Sequence, residues 1–308
     1  MKTSIQIGIT TAVLAVSATA AYSASDTNAV SWLDNTISPV ANPIYFEDPR
    51  ITSEVRPIYM YHFLPNTFHY AGDKGAGVPL GGSVQVMALQ LRYALTDRLA
   101  IIATKDGYIE FDPSHTLGHK YGWGDLSAGL KYALVDNKDS QLIVTPGFTV
   151  TAPSGSTDVF QDHGSGQENV FVSAEKGFNN LHITGNLGVI IPNDFAKETS
   201  QLHYSAQVDY YTCQWFVPFF VANGYTILSD GESQANQSLK AVPLNTEGYD
   251  LINFGSSAAR GTTQFTIGGG FRTRFTKNID AGVAYEAGVV HPVGIFAGRI
   301  TADVIWRF

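Results

Sequence analysis

The last fifteen residues, Gly294 to Phe308, read G-I-F-A-G-R-I-T-A-D-V-I-W-R-F. Counting back in twos gives Phe308, Trp306, Val304, Ala302, Ile300, Gly298 and Phe296, with Arg307, Ile305, Asp303, Thr301, Arg299 and Ala297 between them. Successive side chains of a strand point to opposite faces. One face is therefore apolar with an aromatic tip, and the other carries Arg307, Asp303 and Arg299. A strand with lipid on one side and a polar interior on the other has this pattern. A soluble sheet with one buried face shows a similar alternation. The outward aromatic at the very end, with Trp306 beside it, favours the membrane reading, because aromatic girdles sit at the two interfaces.

From Ser53 onward the chain divides into about twelve runs of roughly ten residues, the length a tilted strand needs to cross an outer membrane. The expected strands are 54–64, 83–95, 98–108, 123–135, 140–152, 168–178, 180–191, 201–212, 214–228, 261–275, 279–289 and 294–308. Their connections alternate between short and long. The short ones are at Thr96-Asp97, Asp136 to Asp139, Asn179, Thr212 to Gln214 and Thr276 to Asn278, rich in residues that tolerate tight turns. The long ones run over 65–82, 110–122, 153–167, 192–200 and 229–260, with a brief last one at His291-Pro292. An all-β, antiparallel, up-and-down transmembrane barrel requires this order, with short periplasmic turns, long extracellular loops and both ends of the chain on the periplasmic side.

Charges keep to one face of most runs, with Lys105 and Lys176 as exceptions near strand ends. Trp215 to Ala222 is apolar on both faces, which implies a packed or apolar interior beside it. Pro57, Pro146 and Pro218 fall inside expected strands, where each removes a ladder donor and calls for a bulge or a strand end.

Ahead of the barrel, Lys2, the apolar run Ile5 to Val16 and the small residues through Ala24 read as a signal peptide over 1–24. Residues 25–52 are too apolar for a solvated tail, and their prolines forbid a long helix. They form either a plug inside the barrel or a periplasmic extension. No later window reaches the ~20 apolar residues of a membrane-spanning helix. Charged residues are only 15% of the chain, whereas Gly (30), Phe (18) and Tyr (15) are abundant, as suits a β-protein. The single cysteine, Cys213, excludes an intrachain disulfide and a cysteine-based zinc cluster, and a net charge of −8 argues against a nucleic-acid partner.

The terminal Phe308, preceded by Trp306, resembles the closing strand of bacterial outer-membrane barrels, where such an aromatic serves as an assembly signal. Three phrases extend the resemblance: N-P-I-Y-F-E-D-P-R at 42–50, G-W-G-D-L-S-A-G-L-K-Y-A-L at 122–134 and V-T-P-G-F-T-V-T-A-P-S-G-S at 144–156. They resemble the outer-membrane family labelled for the meta-cleavage pathway of phenol degradation, over roughly Asn42 to Phe308. The resemblance implies transport of aromatic compounds and supplies no catalytic residues.

The inward face carries mixed charge. Candidate lumen-lining residues are Arg92, Lys131, Glu175, His203, Asp209, Arg272, Arg274, Glu286, Arg299 and Asp303, with Arg92, Arg272, Arg274 and Arg299 as a basic side. Asp106 is placed on the same face. These charges either line a continuous solute path or pair across a narrow lumen and close it. His115 and His119 with Asp112, and His163 with Asp158 and Asp162, read as solvated loop residues rather than metal ligands. His203 and Ser205 would be the pair for a lipid-modifying enzyme, but both point inward and no G-x-S-x-G elbow occurs. The expected protein is a non-enzymatic channel of the cell outer membrane for passive uptake of small solutes, apolar or aromatic ones among them. The alternative is a non-transporting surface barrel. No cofactor is expected. The partners are outer-membrane lipid, the barrel-assembly machinery through Trp306 and Phe308, and the small-molecule solute.

Overall fold

The computed structural model describes residues 32–70, 75–162, 164–232, 247–291 and 293–308. The expected signal peptide lies outside them. Trp32–Asn35 form a single 3-10 turn, and the rest is strand and loop. Among the described residues seventeen strands occur; β2 (Thr67–His69) and β3 (Gly77–Pro79) pair with each other, and twelve others form a closed antiparallel barrel. These are β1 (Glu54–Phe63), β4 (Gly82–Ala94), β5 (Leu99–Lys105), β8 (Leu126–Tyr132), β10 (Leu142–Ala152), β11 (Gln167–Phe178), β12 (Leu181–Pro192), β13 (Ser200–Tyr210), β14 (Val217–Ser229), β15 (Thr263–Arg274), β16 (Ile279–Gly288) and β17 (Gly298–Arg307). Each pairs with the next, and β1 closes the ring on β17, with Tyr61 opposite Ile300 and Val55 opposite Trp306. Closure gives each of the twelve strands a neighbour on both sides, so strands can meet hydrocarbon.

The alternation read in the sequence is the alternation of the wall. In β17, Thr301, Asp303 and Ile305 are buried while Ile300, Val304 and Trp306 are exposed. At the short-turn end the exterior carries Tyr93, Tyr132, Phe178, Tyr210, Trp306 and Phe308, all exposed. That is the aromatic girdle of an outer-membrane barrel. The three prolines sit where a ladder can spare a donor. Pro57 faces a gap in the β1–β17 pairing, Pro146 faces the break between β8 and β9 (Val135–Asn137), and Pro218 precedes the first β13 pairing of its strand.

Three expected strands need correction. The third and fourth do not run straight through 98–108 and 123–135. A bulge at Ala103/Lys105 and Gly107, with φ of 117° open to glycine but strained for other residues, separates β5 from β6 (Tyr108–Pro113). Their partner breaks at Gly124-Asp125, between β7 (Lys120–Trp123) and β8. The bulge shifts the side-chain phase by one. Lys105, expected outside, turns in to an ion pair with Asp125 at 3.8 Å, and Asp106, expected inside, lies half-buried in the wall. The last strand begins at Gly298 rather than Gly294. Phe296, expected to face lipid, is wholly buried, edge-on to His62 with centroids 5.5 Å apart.

The long-loop end is capped. Phe68, Leu80, Phe111, Phe160, Leu251 and Phe254 belong to one buried apolar cluster that continues down to Ile58, Met60, Val84 and Val86 on the inner wall.

Candidate functional site

The inner face of the wall is polar, and residues 36–50 fill the space it encloses. Apart from the half-buried Ile44, every one of them is buried. Prolines at 39, 43 and 49 keep the segment from coiling into a helix, so its backbone groups need partners from the wall. The Pro39 carbonyl accepts from Arg56 (2.6 Å), the Pro43 carbonyl from Gln90 (2.6 Å), the Glu47 carbonyl from Ser173 (2.8 Å), and the Pro49 carbonyl from Thr145 (2.6 Å). Asn42 donates to Ser205 Oγ and accepts from Tyr225. The segment thus touches strands right around the ring.

Its two sides differ in chemistry. Ile37, Val40, Ala41 and Phe46 pack on Val217, Phe219, Val221 and Ala284, which explains why β14 is apolar on both faces. Gly282 lets Val40 approach: a Cβ there would come within 2.6 Å of Val40. The other side is ionic. Glu47 accepts from Arg92 (2.6 Å) and Lys131 (2.7 Å), and from Arg92 a chain of alternating charge continues through Glu54, Arg307, Asp280, Arg272 and Asp303 to Arg56. Nearer the loops, Arg299 pairs with Glu286 (2.9 Å) and with Asp250 of the long 230–262 connection.

Nine of the ten candidate lumen residues are buried on the inward face; Arg274 is half-buried at the short-turn end, where it donates to the Thr36 carbonyl and stacks over Tyr211. They do not line a continuous open path. Two cavities among the described residues measure about 20 and about 10 Å³, room for roughly one water. Nor do Arg92, Arg272, Arg274 and Arg299 make a basic side, because the first two and the last are each bound to acids. His203 and Ser205 do not form a catalytic pair: His203 bonds to Asn169 (2.7 Å), and Ser205 accepts from Asn42 (3.2 Å). Of the loop histidines, His119 pairs with Glu110 at the surface and His163 lies outside the described residues.

What the sequence reading missed is an interruption of the wall. Between β4 and its neighbours the ladder stops at Leu91↔Ala103 and resumes at Met87↔Tyr108, leaving Ala88, Leu89 and Gln90 without strand partners on that side. Side chains take over: Asp106 Oδ1 accepts the Leu89 N–H at 2.9 Å, and Gln90 Nε2 donates to the Thr104 carbonyl at 2.6 Å. Directly behind lies the smaller, apolar cavity, bounded by Ile44, Ile58, Met60, Val86, Ala88 and Leu251. The Asp106-Gly107 dipeptide and the switch of the inward positions from even to odd numbers were the signals.

The larger cavity sits under the loops, beside Lys105, Asp125 and Glu198. Asp125 Oδ1 pins the 153–166 loop by accepting the N–H groups of Ser154, Gly155 and Asp162 at 2.9–3.1 Å. Burial, reinforced by Asp125, Glu247 and Asp194 and opposed by Lys105, raises the Glu198 carboxyl to about 8. A carboxyl with a raised folded-state pKa opposes folding progressively as pH climbs from its unfolded value of 4.5 to about 8. The unfolding temperature of the native barrel is therefore expected to fall over that window relative to Glu198→Gln. Parallel curves for the two proteins would refute this account.

No family model matches the chain, and no curated protein does. Among solved structures it is similar to an outer membrane channel from Pseudomonas putida F1, 16% identical over 89% of this chain and 100% of that one, with a TM-score of 0.57. The chain is an outer-membrane β-barrel. Looser likenesses are the NanC porin (9% identity; 83% and 98% covered; TM-score 0.47) and the KdgM porin (10%; 83% and 99%; 0.43). For this outer-membrane barrel the likeness is one of fold; the resemblance to the phenol-degradation family is not extended by it.

Proposed function

We propose that this barrel is a passive outer-membrane channel for small apolar compounds, aromatic ones included, and that they enter sideways through the wall at Ala88–Gln90. The observation that carries this reading is the pairing of a lumen filled along its axis with an apolar cavity behind the one stretch of β4 that lacks a ladder partner. A solute dissolved in the bilayer needs no aqueous path to reach that point. Three unpaired residues are also the place where a barrel wall parts at least expense, since side chains rather than a continuous ladder hold it. The cavity of about 10 Å³ is the closed state, and displacing Asp106 from Leu89 widens it. The aromatic-transport implication of the family resemblance agrees with such a lining.

Ala88→Trp fills the cavity from the wall. Wild-type barrel in proteoliposomes is expected to speed the transfer of phenylnaphthylamine, an apolar aromatic dye, and Ala88→Trp to abolish that gain while leaving the small ion conductance unchanged. Equal transfer in both proteins would place the path elsewhere. No acceleration by the wild type would leave a non-transporting surface barrel.

A further inference from the structure

At the short-turn end of the lumen three neighbouring strands converge on one point. Glu175 of β11, His182 of β12 and Asp209 of β13 all face inward and are at most 1% exposed. His182 stands directly opposite Asp209, and Glu175 is opposite Thr184, one inward position along. One donor atom from each of the three lies within 4.8 Å of the other two.

The hydrogen bonds leave this cluster short of positive charge. His182 Nδ1 meets Asp209 Oδ1 at 2.8 Å and Nε2 meets the Asn179 carbonyl at 3.0 Å; both partners are acceptors. Neither Glu175 oxygen has a hydrogen-bond partner among the described residues. The two groups that face it, Thr36 and Arg50, both have competing partners. Thr36 has one hydroxyl proton, and the Leu33 carbonyl competes for it at 3.0 Å. Arg50 directs Nε to Asp48, Nη1 to Thr36, and Nη2 to Ser38 and Asp48. In the adjoining row, Thr184 Oγ1 and Gln207 Oε1 are also unpartnered. A buried carboxylate without donors is costly, and so many oxygens around one point want a cation.

We infer that Glu175, His182 and Asp209 form a binding site for a divalent transition-metal ion of the zinc class. One imidazole nitrogen with two carboxylates is a zinc-type donor set, whereas calcium and magnesium favour oxygen alone. The ion replaces the proton between His182 Nδ1 and Asp209. The Nε2–H stays on the Asn179 carbonyl, the outer contact that fixes the tautomer and ring orientation of a metal-bound histidine. Water or Gln207 completes the shell. Bound there, the ion ties β11, β12 and β13 together beneath the start of the luminal segment.

The test uses full-length barrel in detergent, stripped with EDTA and titrated with zinc sulfate by calorimetry, with cobalt chloride as the spectroscopic probe. One zinc per chain is expected, with a rise in unfolding temperature. Glu175→Gln should weaken binding by roughly tenfold or more, in the range seen when metal sites lose a supporting group. His115→Ala/His119→Ala and Cys213→Ser should bind as wild type does. Undiminished binding in Glu175→Gln, or loss in the loop variants, would overturn the assignment. If Glu175→Gln does not fold, X-ray absorption of the zinc-loaded wild type decides: one imidazole with carboxylate oxygens upholds the site, and several imidazoles or a sulfur ligand refutes it. Absence of binding to the wild type refutes it as well.

Discussion

Excision of residues 36–50 is expected to convert a closed barrel into an ion-conducting pore. In planar bilayers the conductance should rise by about tenfold or more, because a ring of twelve strands stripped of its filling encloses more space than its own side chains occupy. Selectivity should change with it. The excised stretch carries Glu47, Asp48 and Arg50, and Glu47 is the acid shared by Arg92 and Lys131. Its loss leaves Lys131 without its acid and Arg92 with Glu54 alone, so the reversal potential in a salt gradient should report a preference for anions. Glu47→Gln with the segment in place should stay closed, since Val40 and Phe46 still pack on β14 and the carbonyl contacts remain. If the excised protein conducted no better than the wild type, the loop cap alone would be the barrier.

The second large effect concerns stability. Asp303 Oδ2 accepts from Arg56 Nε at 2.7 Å and from Arg272 Nη2 at 2.9 Å, and all three side chains are buried. In Asp303→Asn both guanidinium groups stay where they are while the charge between them disappears. Removing one member of a buried ionic set typically costs about 3–5 kcal/mol, most of it the penalty of the charge left behind. Arg272 keeps Asp280, whereas Arg56 keeps only the Pro39 carbonyl, so the loss should concentrate on β1 and its closure with β17. Heat-modifiable gel mobility should show unfolding at a clearly lower temperature. The exterior change Val304→Ala, on the same strand but facing lipid, should shift it far less. Equal shifts would show that the ionic chain contributes nothing beyond packing.

The architecture was legible because a barrel wall imposes one rule, alternation, on every strand, and the chain from Glu54 to Phe308 obeys it. A bulge defeats that rule locally. One inserted residue leaves both flanks alternating while exchanging their faces, so Lys105 was assigned to the wrong side, and Asp106 was assigned to the inner face although it lies in the wall. The inward charges could be picked out, yet their partners could not. Glu47 and Lys131 are far apart in the chain and meet only when the lumen is full, as do Asp250 and Arg299. The apolar inner face of Val217, Phe219 and Val221 was the clearest sequence sign that something apolar must lie against it, and 37–46 supplies it. The interrupted ladder beside Ala88 has a weaker signature, a single Asp106-Gly107 step, because satisfying three backbone groups with side chains leaves the composition of β4 unchanged.

The segment that fills the interior comes before β1 in the chain, and its bonds reach from Arg56 on the first barrel strand to Arg307 on the last. Those contacts exist together only once β1 has met β17. The segment therefore acts as a clasp on the seam: the two strands whose meeting closes the sheet both hold it, so parting them and freeing it are one event.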